Sequence, residues 1–462
     1  MTTSTHDGAP SEDPLREDLL RKELMREELL REDPLRAEAV RRMRERRFGM
    51  FIHWGLYSAA ARNEWMRHRE RTPDAEYERY LAHFEPDLFD PVEWADLAAA
   101  AGMKYVVVTT KHHEGFCLWD TEHTDFSVAS TPWRRDLIGP IAESFRARGL
   151  GVGMYHSLID WHHPQFPIDG LHPLRDDDAA RAEVRDMAEY RQYLHAQVAE
   201  LLTGYGPVEQ LFFDFSYPEH VHEGTLVWGG KGARDWGSEE LLATVRRLQP
   251  GILVNDRLGI PGDYVTPEQY QPAEPPTVGG APALWEACQT INGSWGYDRD
   301  NTTAKSPDLL LRMLVDTVAK DGNLLLNVGP TARGELDPVA VDTLRAIGQW
   351  MSRHGRAIHG AGPAAYTPPP DCRYTQRGNR LYLHLFAWPF EAVHLPGLAG
   401  RVEYAQLLHD ASEIPMEVLP ADAESHMTSA AGTGDNTLTL WLPVRRPDVA
   451  IPVIELFLRD GD

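Results

Sequence analysis

KYVVVTTKHH (104–113), LIGPIAESFRARG (137–149) and GVGMYHS (151–157) decide the fold. The outer two are short apolar runs without polar alternation, as strands buried on both faces read. The middle stretch has helical period and ends at Gly149, where a C-cap glycine belongs. Strand, helix, strand in that order predicts a parallel sheet covered by helices. The pattern continues outward. FGMFIHW (48–54) comes before it; EQLFFDF (209–215), GILVNDR (251–257), DYVTPEQ (263–269), LWEACQT (284–290) and GNLLLNVGP (322–330) come after. Helical stretches lie between several of them, including SEELLATVRRLQP (238–250) and SPDLLLRMLVDTVAKDG (306–322), whose Ser238 and Ser306 are placed as N-caps. Eight runs over residues 37–360 predict an α/β fold, a (β/α)8-like (TIM-type) barrel. The helices after runs five to seven are poorly marked, so an irregular barrel is expected. A doubly wound sheet is the competitor, but no GxGxxG turn follows the first run.

The flanks read differently. Beyond Gly360, RLYLHLFAW (380–388), LTLWLPV (438–444) and AIPVIELFL (450–458) alternate and are split by Gly, Pro and Asp. Residues 361–462 are therefore expected to form a C-terminal antiparallel β-sandwich. Residues 1–36 carry a Leu/Arg/Glu pentad repeat, LREDL, LRKEL, MREEL, LREDP. A period of five smears leucine around a helix, so a solvated helix or mobile arm is expected, with joining subunits of a homo-oligomer as the other use. Lys and Arg number 46 against 70 Asp and Glu, a formal charge of −24. That argues against nucleic acid and anionic membrane as partners. The three cysteines share no close spacing, which excludes a disulfide scaffold. No apolar run approaches the ~18 residues of a membrane span, and the first residues lack a basic start and an apolar stretch, so a cytoplasmic protein is expected.

Polar residues cluster at the C-terminal ends of the runs: His53, Lys111 to Glu114, Tyr155 and His156, Asp214, Asn255 to Arg257, Glu268 and Asn327. Glu286 lies inside run seven. Barrel active sites sit at that face. Asp214 follows Leu211-Phe212-Phe213, so it is an acid at a buried strand end, costly unless it has a task. Facing carboxylates are what glycoside hydrolysis requires, ~5–5.5 Å apart for retention and ~6.5–9.5 Å for inversion. A metal site is disfavoured. His112 and His113 are adjacent, and neighbours on a strand point to opposite sides. His162 and His163, before Pro164, are expected to shape a loop.

FGMFIHWGLYS (48–58), NEW (63–65), KYVVVTTKHHEGFCLWDT (104–121), LVNDRLG (253–259), WEACQTINGSWGY (285–297) and DGNLLLNVGPTARGELDP (321–338) resemble, in order, the α-L-fucosidases of glycoside hydrolase family 29. The resemblance covers about residues 40–360. It implies an irregular barrel plus sandwich, and retaining hydrolysis of terminal α-L-fucosides on small fucosylated glycosides, without cofactor or metal. It implies Asp214 as nucleophile and His53, His112, His113 and Glu64 as binders of sugar hydroxyls, with Trp65 in the same motif. Arg257 matches the arginine beside the nucleophile; Phe212 and Trp295 match aromatics against the sugar. Two departures stand out. The family commonly has Trp before the Asp and Gly after it, where this chain has Phe213 and Phe215. The third strand reads Tyr155-His156 where a tyrosine pair is common, leaving open which faces the sugar. For the acid/base, Glu268 has an apolar, proline-bearing sequence neighbourhood that would raise a carboxyl pKa. Glu286 is the competitor, with a buried orienting role as its other reading. A non-catalytic fucose-binding protein and a metal-dependent barrel hydrolase are the alternatives in other classes.

Overall fold

The computed structural model describes residues 33–222, 225–419 and 436–459. Most of the pentad repeat lies outside the described residues. Seven strands form one parallel sheet: β1 (Phe48–Ile52), β2 (Tyr105–Lys111), β3 (Gly151–Ser157), β4 (Gln210–Asp214), β5 (Leu253–Val254), β6 (Glu286–Thr290) and β7 (Asn323–Val328). Their spatial order is β6-β7-β1-β2-β3-β4-β5. The sixth expected run, 263–269, is not a continuous strand. It crosses the gap between β5 and β6 by single parallel bridges, Asn255–Tyr264, Val265–Trp285 and Glu268–Cys288. Pro267 accepts from Cys288 N (3.0 Å) but has no N–H to donate onward, which breaks the ladder. The barrel is irregular at that point.

Around the sheet lie α1 (Pro34–Arg46), α2 (Pro91–Ala100), α3 (Ile138–Ala147), α4 (Met187–Gly204), α5 (Ser238–Leu248), α6 (Pro307–Ala319) and α7 (Pro338–His354). Ser306 caps α6 by accepting from Leu309 N. Ser238 does not cap α5: Gly237 holds that position in the left-handed region, and Ser238 Oγ donates to Leu258 O (2.6 Å). Helix α1 runs across the expected boundary after residue 36, because Asp33 caps it and Pro34 opens its first turn. Ala39, Val40 and Met43 of α1 pack on Leu253, Tyr264 and Leu284. Met43 O accepts from Asn323 Nδ2 (2.8 Å), so α1 covers the N-terminal end of the barrel.

Strand side chains alternate between two cores. Met50, Ile52, Val106, Val108, Met154, Leu211 and Phe213 face the helices. Phe51, Tyr105, Val107, Tyr155, Phe212, Cys288 and Leu325 fill the barrel interior. After the barrel come β8 (Cys372–Arg377), β9 (Arg380–Leu385), β10 (Ala392–Pro396), β11 (Val402–Leu407), β12 (Met416–Val418), β13 (Thr437–Trp441) and β14 (Val453–Leu458). They form two antiparallel sheets, β8-β9-β14-β11 and β10-β13-β12, around Leu383, Leu395, Leu440 and Leu456. Among the described residues no helix is long and apolar enough to cross a membrane.

Glu286 belongs to the floor of this barrel and corrects the sequence reading that set it beside the chemistry. It opens β6, two residues and ~7 Å below Cys288 at a strand rise of about 3.3 Å per residue. It accepts from Tyr105 OH (2.5 Å) and Gln210 Nε2 (3.4 Å) and is fully buried. Burial raises its carboxyl from 4.5 to about 7. The folded state thus favours the protonated form, and stability declines as pH rises from the unfolded value near 4.5 through 7. At 1.36 kcal/mol per unit the decline is about 3 kcal/mol. Thermal melts should therefore show a flatter Tm between pH 4.5 and 8 for Glu286→Gln than for the wild type. Parallel profiles would show that this carboxyl does not titrate there.

Candidate active site

The inward alternation that fills the barrel also delivers the polar groups of its open end. On β4, Phe212 and Asp214 point inward two residues apart, and β3 pairs alongside with Tyr155 opposite Phe212. The same alternation turns His156 outward: its Nδ1 meets Thr110 Oγ1 (2.9 Å), it is fully buried, and it does not line the pocket. Tyr155, not His156, faces the cavity. That pocket measures about 570 Å³ and lies at the C-terminal strand ends.

Arg257 organises it. One nitrogen, Nη1, lies 2.7 Å from Asp214 Oδ1 and 2.7 Å from Glu268 Oε2. The guanidinium is fixed from behind by Thr266, through Nε to Oγ1 (2.9 Å) and Nη2 to the carbonyl (3.2 Å), and it lies over the Phe212 ring. Burial disfavours its charge, but Asp214 and Glu268 outweigh that and hold Arg257 well above the ordinary arginine range. Tyr155 OH donates to Asp214 Oδ2 (2.8 Å). Burial, reinforced by the Asp214 charge, raises Tyr155 well above the usual phenol range, so it stays a donor. Glu268 is not in the apolar setting its neighbours suggested: its side chain is 39% exposed and paired with Arg257. The residue after each carboxylate, Phe215 (φ 83°) and Gln269 (φ 60°), sits in the left-handed region. Backbone strain of this kind collects at functional sites.

Three histidines face the pocket. His53 Nδ1 lies 2.7 Å from Asn327 Oδ1, while Asn327 Nδ2 donates to Trp295 O. The Asn327 oxygen is therefore the acceptor, and His53 carries its proton on Nδ1. His113 Nδ1 lies 2.7 Å from Ser157 Oγ, whose proton goes to Ile159 O, so His113 has the same tautomer. Burial, then the neighbouring His112, holds both rings well below the usual histidine range. Both are neutral and turn an Nε2 lone pair to the cavity. His112 also lines the pocket, stacked on Tyr155 at 5.6 Å. That corrects the expectation that adjacent histidines diverge, because β2 ends at Lys111 and the alternation ends with it. Trp295 packs on His53 (5.1 Å), and Trp65 on His113 (5.1 Å).

Glu64 lies behind the residues that line the cavity. It is 2% exposed, does not line the pocket, and accepts from Gly296 N (2.7 Å), so it anchors the loop carrying Trp295. His162 and His163 stay outside the pocket; His162 stacks on Phe126 at 3.7 Å. Among the described residues, no three His, Cys, Asp or Glu are grouped to hold a metal ion. Sequence reasoning did not single out Phe51, Cys288, Ser216 and Tyr217, which line the cavity, and it named Phe215 only as a departure from the family pattern. Alternation back from His53 would have found Phe51, and forward from Glu286 would have found Cys288.

A pocket of this shape, with carboxylates facing across an arginine at the open end of a (β/α)8-like barrel, defines a glycoside hydrolase. The sequence pattern of the family described as alpha-L-fucosidase matches residues 29–356, and the chain belongs to that family. It is 30% identical to human tissue alpha-L-fucosidase over 380 residues, 76% of each protein. Its fold is similar to alpha-L-fucosidase isoenzyme 1 from Paenibacillus thiaminolyticus, at 42% identity and TM-score 0.85, covering 92% of this chain and 100% of the other. It is also similar to a GH29 alpha-L-fucosidase from Bacteroides thetaiotaomicron, solved as a trapped covalent intermediate with 2-fluoro-fucosyl fluoride. There the identity is 28% and the TM-score 0.77, over 91% of this chain and 96% of the other.

Ser157→Ala removes the acceptor that fixes the His113 tautomer. Losing one such hydrogen bond should lower kcat/KM on an aryl α-L-fucoside about tenfold. An unchanged value in steady-state kinetics would show that the ring is held by packing alone.

Proposed function

We propose that the chain is a retaining exo-α-L-fucosidase that cleaves terminal α-L-fucosides by double displacement, with Asp214 as nucleophile and Glu268 as acid/base. One observation carries this reading. Asp214 Oδ1 and Glu268 Oε2 share a single arginine nitrogen at 2.7 Å each, so these oxygens lie at most about 5.4 Å apart. That bound is compatible with the ~5–5.5 Å of retention and lies below the ~6.5–9.5 Å of an inverting pair, which supports the retaining reading.

In the first step, an Asp214 oxygen attacks the anomeric carbon as the bond to the leaving oxygen breaks. Glu268 delivers its proton to that oxygen. The products are a fucosyl ester on Asp214 and the free alcohol. In the second step, Glu268 takes a proton from water, the water oxygen attacks the anomeric carbon, and the ester bond breaks to return the Asp214 carboxylate. Partial exposure of Glu268 suits both steps, since it must meet a leaving group and then water. Arg257 and Tyr155 hold the Asp214 carboxyl aimed, through Oδ1 and Oδ2 respectively, and so pre-organise it against the charge that develops on the ring. The lone pairs of His53 and His113 accept hydrogen bonds from sugar hydroxyls. Phe51, Phe212 and Trp295 supply the apolar wall that favours a methyl group where other hexoses carry a hydroxymethyl. One such contact is worth only ~1–3 kcal/mol, so L-galactosides are expected to be poor substrates, not excluded ones.

Trapping with 2-fluoro-fucosyl fluoride followed by peptide mapping should place the label on Asp214. Label elsewhere, or a first-formed product with inverted anomeric configuration by NMR, would refute the mechanism. Glu268→Ala should lose ~10²–10⁴-fold on natural linkages, and azide should restore turnover of an activated aryl fucoside. Glu286→Gln, altered only at the barrel floor, should keep its turnover.

A further inference from the structure

The residues lining the cavity fall into two sets. His53, His112, His113, Tyr155, Phe51 and Phe212 are buried and sit deep in the barrel. Phe215, Ser216 and Tyr217 are half-buried, Glu268 is exposed, and together they form the mouth. On the proposed function, fucose fills the deep part, and its leaving group passes Glu268 and emerges along Phe215 to Tyr217. The Phe215 and Tyr217 rings meet there edge to face, with centroids 5.6 Å apart.

Tyr217 is held with unusual completeness for a rim residue. Its backbone exchanges two hydrogen bonds with Lys231, each 2.9 Å. Its hydroxyl donates to Asp169 Oδ2 (2.6 Å) and accepts from Lys231 Nζ (3.0 Å). Lys231 and Asp169 are themselves ion-paired, with side chains only 8% and 12% exposed. The Lys231 ammonium also lies 5.0 Å from the Phe166 ring centre and 5.4 Å from that of Tyr217. Asp169 comes from the loop between β3 and α4, whereas Tyr217 and Lys231 come from the loop between β4 and α5. Two long loops are thus clasped at one tyrosine, and a largely buried ion pair is kept at the edge of the cavity. The ion pair gains little stability for its desolvation, whereas it fixes geometry. Neighbouring Ser216 is fixed too, accepting from Trp236 Nε1 (2.9 Å) and donating to Arg257 O (2.8 Å).

We propose that Tyr217 is the leaving-group platform of this chain, a specificity-determining ring for fucosides whose leaving group is a second, neutral pyranose, and that Asp169 and Lys231 are the positioning residues that set its tilt. An aromatic face packs on the C–H face of a pyranose. A leaving group with no ring has nothing to place there.

The readout is the ratio of kcat/KM for an α-L-fucosyl-galactose disaccharide to that for α-L-fucosyl fluoride, whose leaving group is one atom. Tyr217→Ala should lower this ratio about tenfold, mainly through KM of the disaccharide. Tyr217→Phe, which keeps the ring, should stay within about threefold of the wild type. Asp169→Asn and Lys231→Met should fall between the two. A ratio unchanged in Tyr217→Ala overturns the platform, as does an equal loss on both substrates, which marks a merely structural residue. If Tyr217→Ala does not fold, Tyr217→Leu is read in its place. Unchanged ratios in both Asp169→Asn and Lys231→Met overturn the positioning role. A wild type that turns over neither substrate overturns the fucosidase reading itself, and the platform with it; a wild type that turns over the fluoride isolates the platform as the point on trial.

Discussion

One guanidinium nitrogen shared by two carboxylates is the constraint around which the site is built. Asp214 ends β4, whereas Glu268 lies in the broken sixth segment, with β5 between the two. Arg257 joins them across that gap at a fixed spacing. The arginine is itself held by Thr266 and lies against Phe212, so the spacing is passed on to the scaffold. The broken sixth segment matters here. A regular strand between β5 and β6 would continue the ladder, whereas the interrupted one presents Thr266 and Glu268 to Arg257 on either side of Pro267.

The histidines extend the same logic by a different route. Their protons are placed by partners behind them, Asn327 for His53 and Ser157 for His113, and both partners are tied in turn to a backbone carbonyl. Each link has one acceptor and one donor, so the direction of the whole chain is fixed. The cavity therefore offers neutral histidine acceptors beside the Asp214 carboxyl group. A neutral polyol can use such a lining, and an anionic ligand would find little in it beyond Arg257, which is already engaged by two carboxylates.

Most of the barrel was legible from the chain because a strand buried on both faces has an unmistakable composition. Seven of the eight apolar runs are strands of one parallel sheet, and period two along β4 and β1 puts Asp214 and His53 at its open end. Where reading failed, local pattern had given way to tertiary contact. DYVTPEQ has strand-like residues, but Pro267 denies it a ladder. His112 and His113 look divergent only if β2 is carried two residues too far. Glu286 and His156 are polar residues on strands, and nothing in the sequence says that one meets Tyr105 at the floor and the other Thr110 outside. Glu64 is placed by a backbone N–H from 232 residues away, which no periodicity records. The apolar neighbours of Glu268 are real, but the guanidinium that dominates its surroundings arrives from Arg257, eleven residues back in sequence and adjacent only in space.

Helix α1 lies across the lower end of the barrel, with Met43 bonded to Asn323 above it, and this stopper has a kinetic meaning. Among the described residues such a vessel has a single doorway, so on the proposed mechanism the departing alcohol and the incoming water take turns. On the proposed double displacement, whatever stands in that doorway while the sugar is esterified is the next nucleophile. A second carbohydrate lingering there would compete with solvent for the glycosyl group, and the balance between hydrolysis and synthesis would be a matter of queueing.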